Sequence, residues 1–187
     1  VEFQGQIADT IDYTGQGMSV DSDHGTHVAG ITGAKKDGIG MHGAAFDSKL
    51  LVAKVASGYN YSFSNAKSAA AWGKGKGSVA INVSAELNLD KAFQNSLVKI
   101  GDGSYKSTHW YYGENGYNGA KNDAQSWKNA LGEQVLVKAA GNAGRDYSAG
   151  MNQMATATDS NGNLILDGQM LVVGSWDANN NKIASSS

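Results

Sequence analysis

The stretch Asp21-Ser22-Asp23-His24-Gly25-Thr26-His27-Val28-Ala29-Gly30 decides how this chain is read. From Gly25 to Ala34 the residues GTHVAGITGA are small and apolar enough for a buried helix. Ser22 or Asp23 stands where a side-chain oxygen accepts from the free N–H groups of a first helical turn. His24 and His27 lie at i, i+3 and share a helical face, a spacing at which two imidazoles can bind one metal ion. A zincin helix needs HExxH, with the glutamate as general base, and none is present. No metal and no cofactor is therefore assigned. What remains is a histidine on the first turn of a helix, its ring direction fixed by the element that carries it. That is how a general base is held within hydrogen-bond reach of a nucleophile.

Outward from this helix, short apolar runs alternate with helix-like stretches. Lys49 to Ala56 (KLLVAKVA), Val79 to Ser84 (VAINVS), Gln134 to Ala140 (QVLVKAA) and Met170 to Ser175 (MLVVGS) read as inner strands covered on both faces. Asn65 to Trp72 and Ala120 to Leu131 read as helices. The alternation predicts an α/β fold with a mainly parallel sheet and helices on both faces. Leu89 to Gly119, with Trp110, Tyr111, Tyr112 and Tyr117, reads as a surface insertion with partly buried rings, and Ala149 to Gly168 as a loop with a hairpin-like turn at Asp159-Ser160-Asn161-Gly162. His42 and His109 belong to no cluster and read as structural residues.

Composition narrows the partners. The chain has 187 residues, 41% of them hydrophobic, enough for a core of its own. Its 15 Lys+Arg against 17 Asp+Glu, with no basic run, leave no electrostatic footprint for nucleic acid or for a membrane surface. With no cysteine there is neither a disulfide framework nor a thiol nucleophile. Glycine stands at 25 and proline at zero, where a usage of about 5% would give about nine, so turns rest on Gly, Asn, Asp and Ser. No stretch approaches the roughly 18 apolar residues of a membrane span.

The motif HGTHVAG, from His24 to Gly30, resembles the histidine motif of the subtilases, the subtilisin-like serine peptidases. Later segments follow in that family's order. Ile39-Gly40-Met41-His42-Gly43-Ala44-Ala45-Phe46 is similar to its IGVxGVAP turn, with Phe46 in place of proline, and Lys49 to Val55 to the strand ending in a KV pair. Ile81-Asn82-Val83-Ser84 resembles the INxS strand, Ala139-Ala140-Gly141-Asn142-Ala143-Gly144 the AAGNxG motif, and Leu171 to Ser175 with Asp177 the VGAVD strand and turn. The resemblance implies a subtilisin-like fold, a polypeptide substrate and acyl transfer by an Asp–His–Ser triad. His24 would be the general base and Asn142 the donor to the oxyanion. Ser84, Ala85 and Glu86 on one side, and Ser57, Gly58 and Tyr59 on the other, would pair with an extended peptide. Glu86 stands where the family usually has glycine, a departure at the specificity pocket.

The triad's other two members have no match here. The family's aspartate lies on the strand before a segment resembling Val1 to Ile7, hence upstream of Val1. Asp9 and Asp12 are too close to His24 in sequence and lack the D-[ST]-G setting. The serine's GTSMA loop does not occur, and Ser185, Ser186 and Ser187 match the turn well before it. Residues 1–187 thus read as the central part of one peptidase domain, incomplete at both ends and inactive as it stands, from a secreted or cell-surface endopeptidase. A non-catalytic peptide-binding homologue, or a glycan-binding domain using the aromatic stretch, stays open on these residues. His24 and Asn142 are expected to approach one cleft, with Ser84 to Glu86 along its wall.

Overall fold

A computed structural model describes residues 2–19, 22–58, 60–85, 97–99, 105–107, 116–141, 150–180 and 182–183. The chain divides into two compact units, Val1–Ser78 and Val79–Ser187.

In the first unit β1 (Ile7–Asp12) pairs in parallel with β2 (Leu50–Lys54), Ile7 opposite Leu50 and Asp12 opposite Lys54. The connection between them carries helix α1 (Asp23–Gly33), as a parallel pairing requires a crossover. After β2, Ala56–Ser57 (β3) and Asn60–Tyr61 (β4) form a small antiparallel hairpin. Helix α2 (Phe63–Gly75) follows, its N-terminus capped by Ser62 Oγ, which accepts from Asn65 N at 3.2 Å. It buries Ala66, Ala69, Ala70 and Gly73, a stripe at i, i+3, i+4, i+7. Tyr13, just beyond β1, ties down the outer part of the helix: its hydroxyl donates to Ser68 O at 3.1 Å and its carbonyl accepts from Asn65 Nδ2 at 3.2 Å.

In the second unit β5 (Ala80–Val83), β8 (Val135–Ala139) and β9 (Met170–Val173) form a parallel sheet in the order β5-β8-β9. Between β5 and β8 lie the antiparallel pair β6 (Leu97–Lys99) and β7 (Tyr105–Ser107) and helix α3 (Gly116–Leu131). Helix α3 buries Ala120, Ala124, Trp127 and Leu131, and β8 buries Leu136 and Lys138 on one face. A 3₁₀ segment, Gly150–Thr156, adds Met151 and Met154 to this core. Trp127, Leu131, Leu136 and Met154 are wholly buried, each worth about 1.5–3 kcal/mol or more in transfer from water. The short pair β10 (Trp176–Asp177) and β11 (Lys182–Ile183) ends the described chain.

The expected α/β architecture with parallel pairing is present, and the expected strands and helices appear with shifted ends. Three readings are corrected. The helix expected to be buried over Gly25 to Ala34 is largely exposed, with only Gly30 and Gly33 buried among its residues; small residues permit close packing but do not compel it on every face. Of the four runs expected as inner strands, only β8 has a strand on both sides among the described residues. Leu171, Val172 and Val173 of β9 are 55%, 38% and 52% exposed, since an apolar run records a capacity for burial and not the number of its neighbours. The stretch Ala149 to Gly168 is not all loop, because its start forms the 3₁₀ segment. Its turn is present: Thr158 bridges Leu164, and Asp159 Oδ1 accepts from the N–H groups of Asn161 and Asn163.

Candidate active site

His24 sits on the first turn of α1, and its backbone N–H donates to Ser22 Oγ at 3.2 Å, the side-chain cap that the sequence placed at Ser22 or Asp23. The imidazole is exposed. His27, one turn on, lines a cavity of about 300 Å³ with Glu2, Phe3, Asp23, Thr26 and Met41. Among the described residues no three His, Asp or Glu side chains gather as a metal site. The helix is anchored at its other end. Gly43 N donates to Ala34 O, Ala44 N to Ile31 O and Ala45 N to Thr32 O, at 2.7–2.9 Å. These bonds satisfy carbonyls that a helix C-terminus leaves free. The approach is so close that a Cβ on Gly43 would stand 2.4 Å from Gly33 N and 2.6 Å from Ala34 N. Beneath, Gly33 lies against Leu50 of β2, whose Cδ2 would be 2.9 Å from an added Cβ. The glycine of the His42-Gly43-Ala44-Ala45 segment is thus what lets that segment hold the histidine helix, a role that the motif alone did not reveal. His42, an exposed residue of this segment, meets the Phe46 ring edge-on at 5.5 Å.

Both carboxylates near the end of β1 are engaged. Asp12 accepts from Thr14 N, Thr14 Oγ1 and Gly17 N at 2.6–2.7 Å, and these bonds, the Thr14 hydroxyl first, hold its carboxyl below the ordinary carboxylate range. Asp9 pairs with Lys76 at 2.8 Å and is lowered mainly by that contact.

Among the residues expected to pair with a peptide, Ser57 Oγ donates to Gln16 Oε1 at 2.8 Å, and Gly58 makes the β3–β4 turn at φ +54°. Tyr61, opposite Ala56, is half-buried with its hydroxyl enclosed and without a hydrogen-bond partner, and this burial raises its pKa above the ordinary tyrosine value. In the second unit Ser84, just past β5, accepts from Asn82 Nδ2 at 2.9 Å, and Ala85 beside it is half-buried. Tyr59, Glu86, His109, the aromatic residues Trp110, Tyr111 and Tyr112, Asn142 and Ser185 to Ser187 lie outside the described residues, and Tyr117 is placed only as part of α3.

The approach to Asn142 is described up to Gly141. Ala140, at the exit of β8, donates its N–H to Val173 O at 2.8 Å, and its carbonyl accepts from Asn152 Nδ2 at 2.7 Å. Gly141 then turns at φ +124°, a conformation that side-chain-bearing residues rarely adopt. Asn152 carried no signal in the sequence, where it stood in a stretch read as loop.

Parallel strands joined through helices in each unit, with a histidine on a capped helical turn in the first and a glycine turn at a strand end in the second, make an α/β architecture. The subtilase family model matches residues 4–187, and the chain belongs to the subtilase family, with the fold of a serine peptidase. An extracellular serine protease of Serratia marcescens is 64% identical over 33 residues, 18% of this chain and 3% of that protein. The prenylagaramide maturation protease PagA superimposes with a TM-score of 0.54 at 21% identity, covering 99% of this chain and 52% of that one. The epidermin leader peptide processing serine protease of Staphylococcus aureus gives 0.46 at 17% identity over 86% of this chain and 35% of its own. The chain thus spans about half the length of PagA, and its match takes in only a small part of the Serratia protease. No helix among the described residues is long and apolar enough to cross a membrane.

Proposed function

We propose that residues 1–187 are the central part of one subtilisin-like endopeptidase domain, secreted or at the cell surface, with the triad aspartate and serine supplied by sequence flanking this chain. In this reading His24 removes the proton from the serine hydroxyl as its oxygen attacks the scissile carbonyl carbon. The carbonyl oxygen takes the negative charge and accepts a hydrogen bond from the Asn142 side-chain amide. His24 then gives its proton to the leaving amine as the C–N bond breaks, and a water molecule, deprotonated in the same way, releases the acyl group. Ser84, Ala85 and Glu86, with Gly58 and Tyr59, would hold the polypeptide by main-chain pairing.

The observation that carries this reading is the exposed His24 at a capped helix start whose far end is locked by Gly43. The engagement of Asp9 and Asp12 elsewhere supports an aspartate from outside the chain. The test is to express the chain within its full reading frame and treat it with a serine-directed fluorophosphonate. Labelling with concurrent loss of peptide cleavage is expected. A full-length protein that cleaves no peptide and takes no label would overturn the reading in favour of a peptide-binding homologue.

A further inference from the structure

We propose that Asn152 is a positioning residue for the oxyanion-holding turn, an inference that rests on the role of Asn142 proposed above. Asn152 is 6% exposed, and the 3₁₀ segment that carries it is pinned by Met151 and Met154, 2% and 0% exposed. Its Nδ2 donates to Ala140 O at 2.7 Å across twelve positions of sequence. On the other side of the same residue, Ala140 N donates to Val173 O at 2.8 Å, so Ala140 is held at both its polar groups. Beyond it stands Gly141 at φ +124°, and then Asn142. The direction in which the chain leaves Ala140 is therefore set by a strand neighbour and by one side-chain amide.

The other half of that amide makes the case. Asn152 Oδ1 is buried and has no hydrogen-bond partner, an arrangement that costs stability. A residue kept only for packing would be better served by an apolar side chain of the same shape. An asparagine here satisfies the carbonyl just past the strand and fixes its plane, which matters where the next residues must present a donor to within a fraction of an ångström.

The test uses the full-length peptidase, with kcat, KM and melting temperature measured for Asn152→Leu, Asn142→Ala and the double variant. Leucine keeps the shape and removes both the donor and the orphaned oxygen. Asn152→Leu removes one orphaned oxygen but leaves Ala140 O without its donor, so it is expected to melt near the parent temperature, lower kcat about tenfold and leave KM within about twofold. In the Asn142→Ala background that loss should vanish, since there is no amide left to position. Asn152→Asp, of the same shape but without the N–H, gives a second measure and should lower kcat likewise. An unchanged kcat in a folded Asn152→Leu, a loss that persists undiminished in the double variant, or collapse of both Asn152 variants would each overturn the proposal. Asn142→Ala with normal kcat would instead overturn the role given to Asn142, so the two failures are separable.

Discussion

The first turn of α1 carries His24 and the exit of β8 leads toward Asn142, the two groups proposed for catalysis, and the two places are held in opposite ways. His24 rides on a helix whose N-terminal turn has one side-chain cap and an exposed face, while its C-terminal end is locked by main-chain bonds from Gly43, Ala44 and Ala45. The exit of β8 is fixed within one residue of the turn, with both polar groups of Ala140 engaged and Asn152 buried beside it. The difference fits the two tasks. A base must take a proton and give it away, and tolerates small motion of its ring. A donor to a developing charge works by being in place beforehand, and loses its advantage if the chain must reorganise.

His24→Ala in the full-length protein separates the two places most directly. Loss of the base should lower kcat by about 10⁴-fold with KM nearly unchanged, in line with the upper range for general acid–base catalysis. A residual activity near the parent value would remove His24 from the mechanism. Asn142→Ala should follow with a loss in kcat of about 10²–10³-fold, a magnitude borrowed from a subtilisin, a member of the same family. The loss should fall on kcat more than KM, because the neutral substrate carbonyl gains little from the amide and the charged oxygen much. A rise in KM of the same size would make Asn142 a substrate-binding residue.

Local sequence patterns mark the elements of this fold, while its burial and long-range contacts have no local signature. The four apolar runs and HGTHVAG are local patterns, and strands and a capped helix stand there. Strand β1 was missed because Ile7-Ala8-Asp9-Thr10-Ile11-Asp12 mixes aspartates into its apolar positions, and it forms only by pairing with β2, more than forty positions away. The exposure of α1 was equally hidden, since burial depends on what the fold brings to each face. Gly43 was visible as part of a motif but not as the residue whose missing Cβ admits the helix. Asn152 was invisible, because a single asparagine in a glycine-rich stretch reads as turn chemistry until its partner at Ala140 is known.

The anchoring of α1 is sharpened by two glycine substitutions of opposite sign. Gly43→Ala drives a Cβ into the main chain of Gly33 and Ala34, where nothing flexible can yield. A loss of about 3 kcal/mol is expected, the upper part of the usual overpacking range. Gly30→Ala adds a Cβ that meets nothing within 4 Å and sits inside a helix. It should stabilise by up to about 1 kcal/mol through helix propensity. Thermal or urea unfolding of the two variants reads both signs. Equal effects would mean that the 43–45 segment does not hold the helix.

The smallest expected effect concerns acid. The carboxyl of Asp12 is lowered mainly by the Thr14 hydroxyl and N–H, and that of Asp159 mainly by the backbone N–H of Asn163 and then of Asn161. A carboxylate with a folded-state pKa below its unfolded value of 3.8 binds fewer protons in the native state. Its contribution is therefore complete above the unfolded value, declines as pH falls below 3.8, and is gone once the pH passes beneath the folded value. Both groups are open to water, so the effect is a modest slope rather than a collapse. Melting temperatures should be level from pH 7 to pH 5 as far as these two groups are concerned, and should fall as the pH drops below about 4. Asp12→Asn, which leaves one amide oxygen for the donors that now share a carboxylate, should flatten the part of that slope belonging to the turn after β1 and lower the plateau slightly. If the slope of Asp12→Asn matched the parent's over the whole range, the hydrogen bonds to Asp12 would be contributing nothing to stability, and the turn after β1 would be held by its glycines alone.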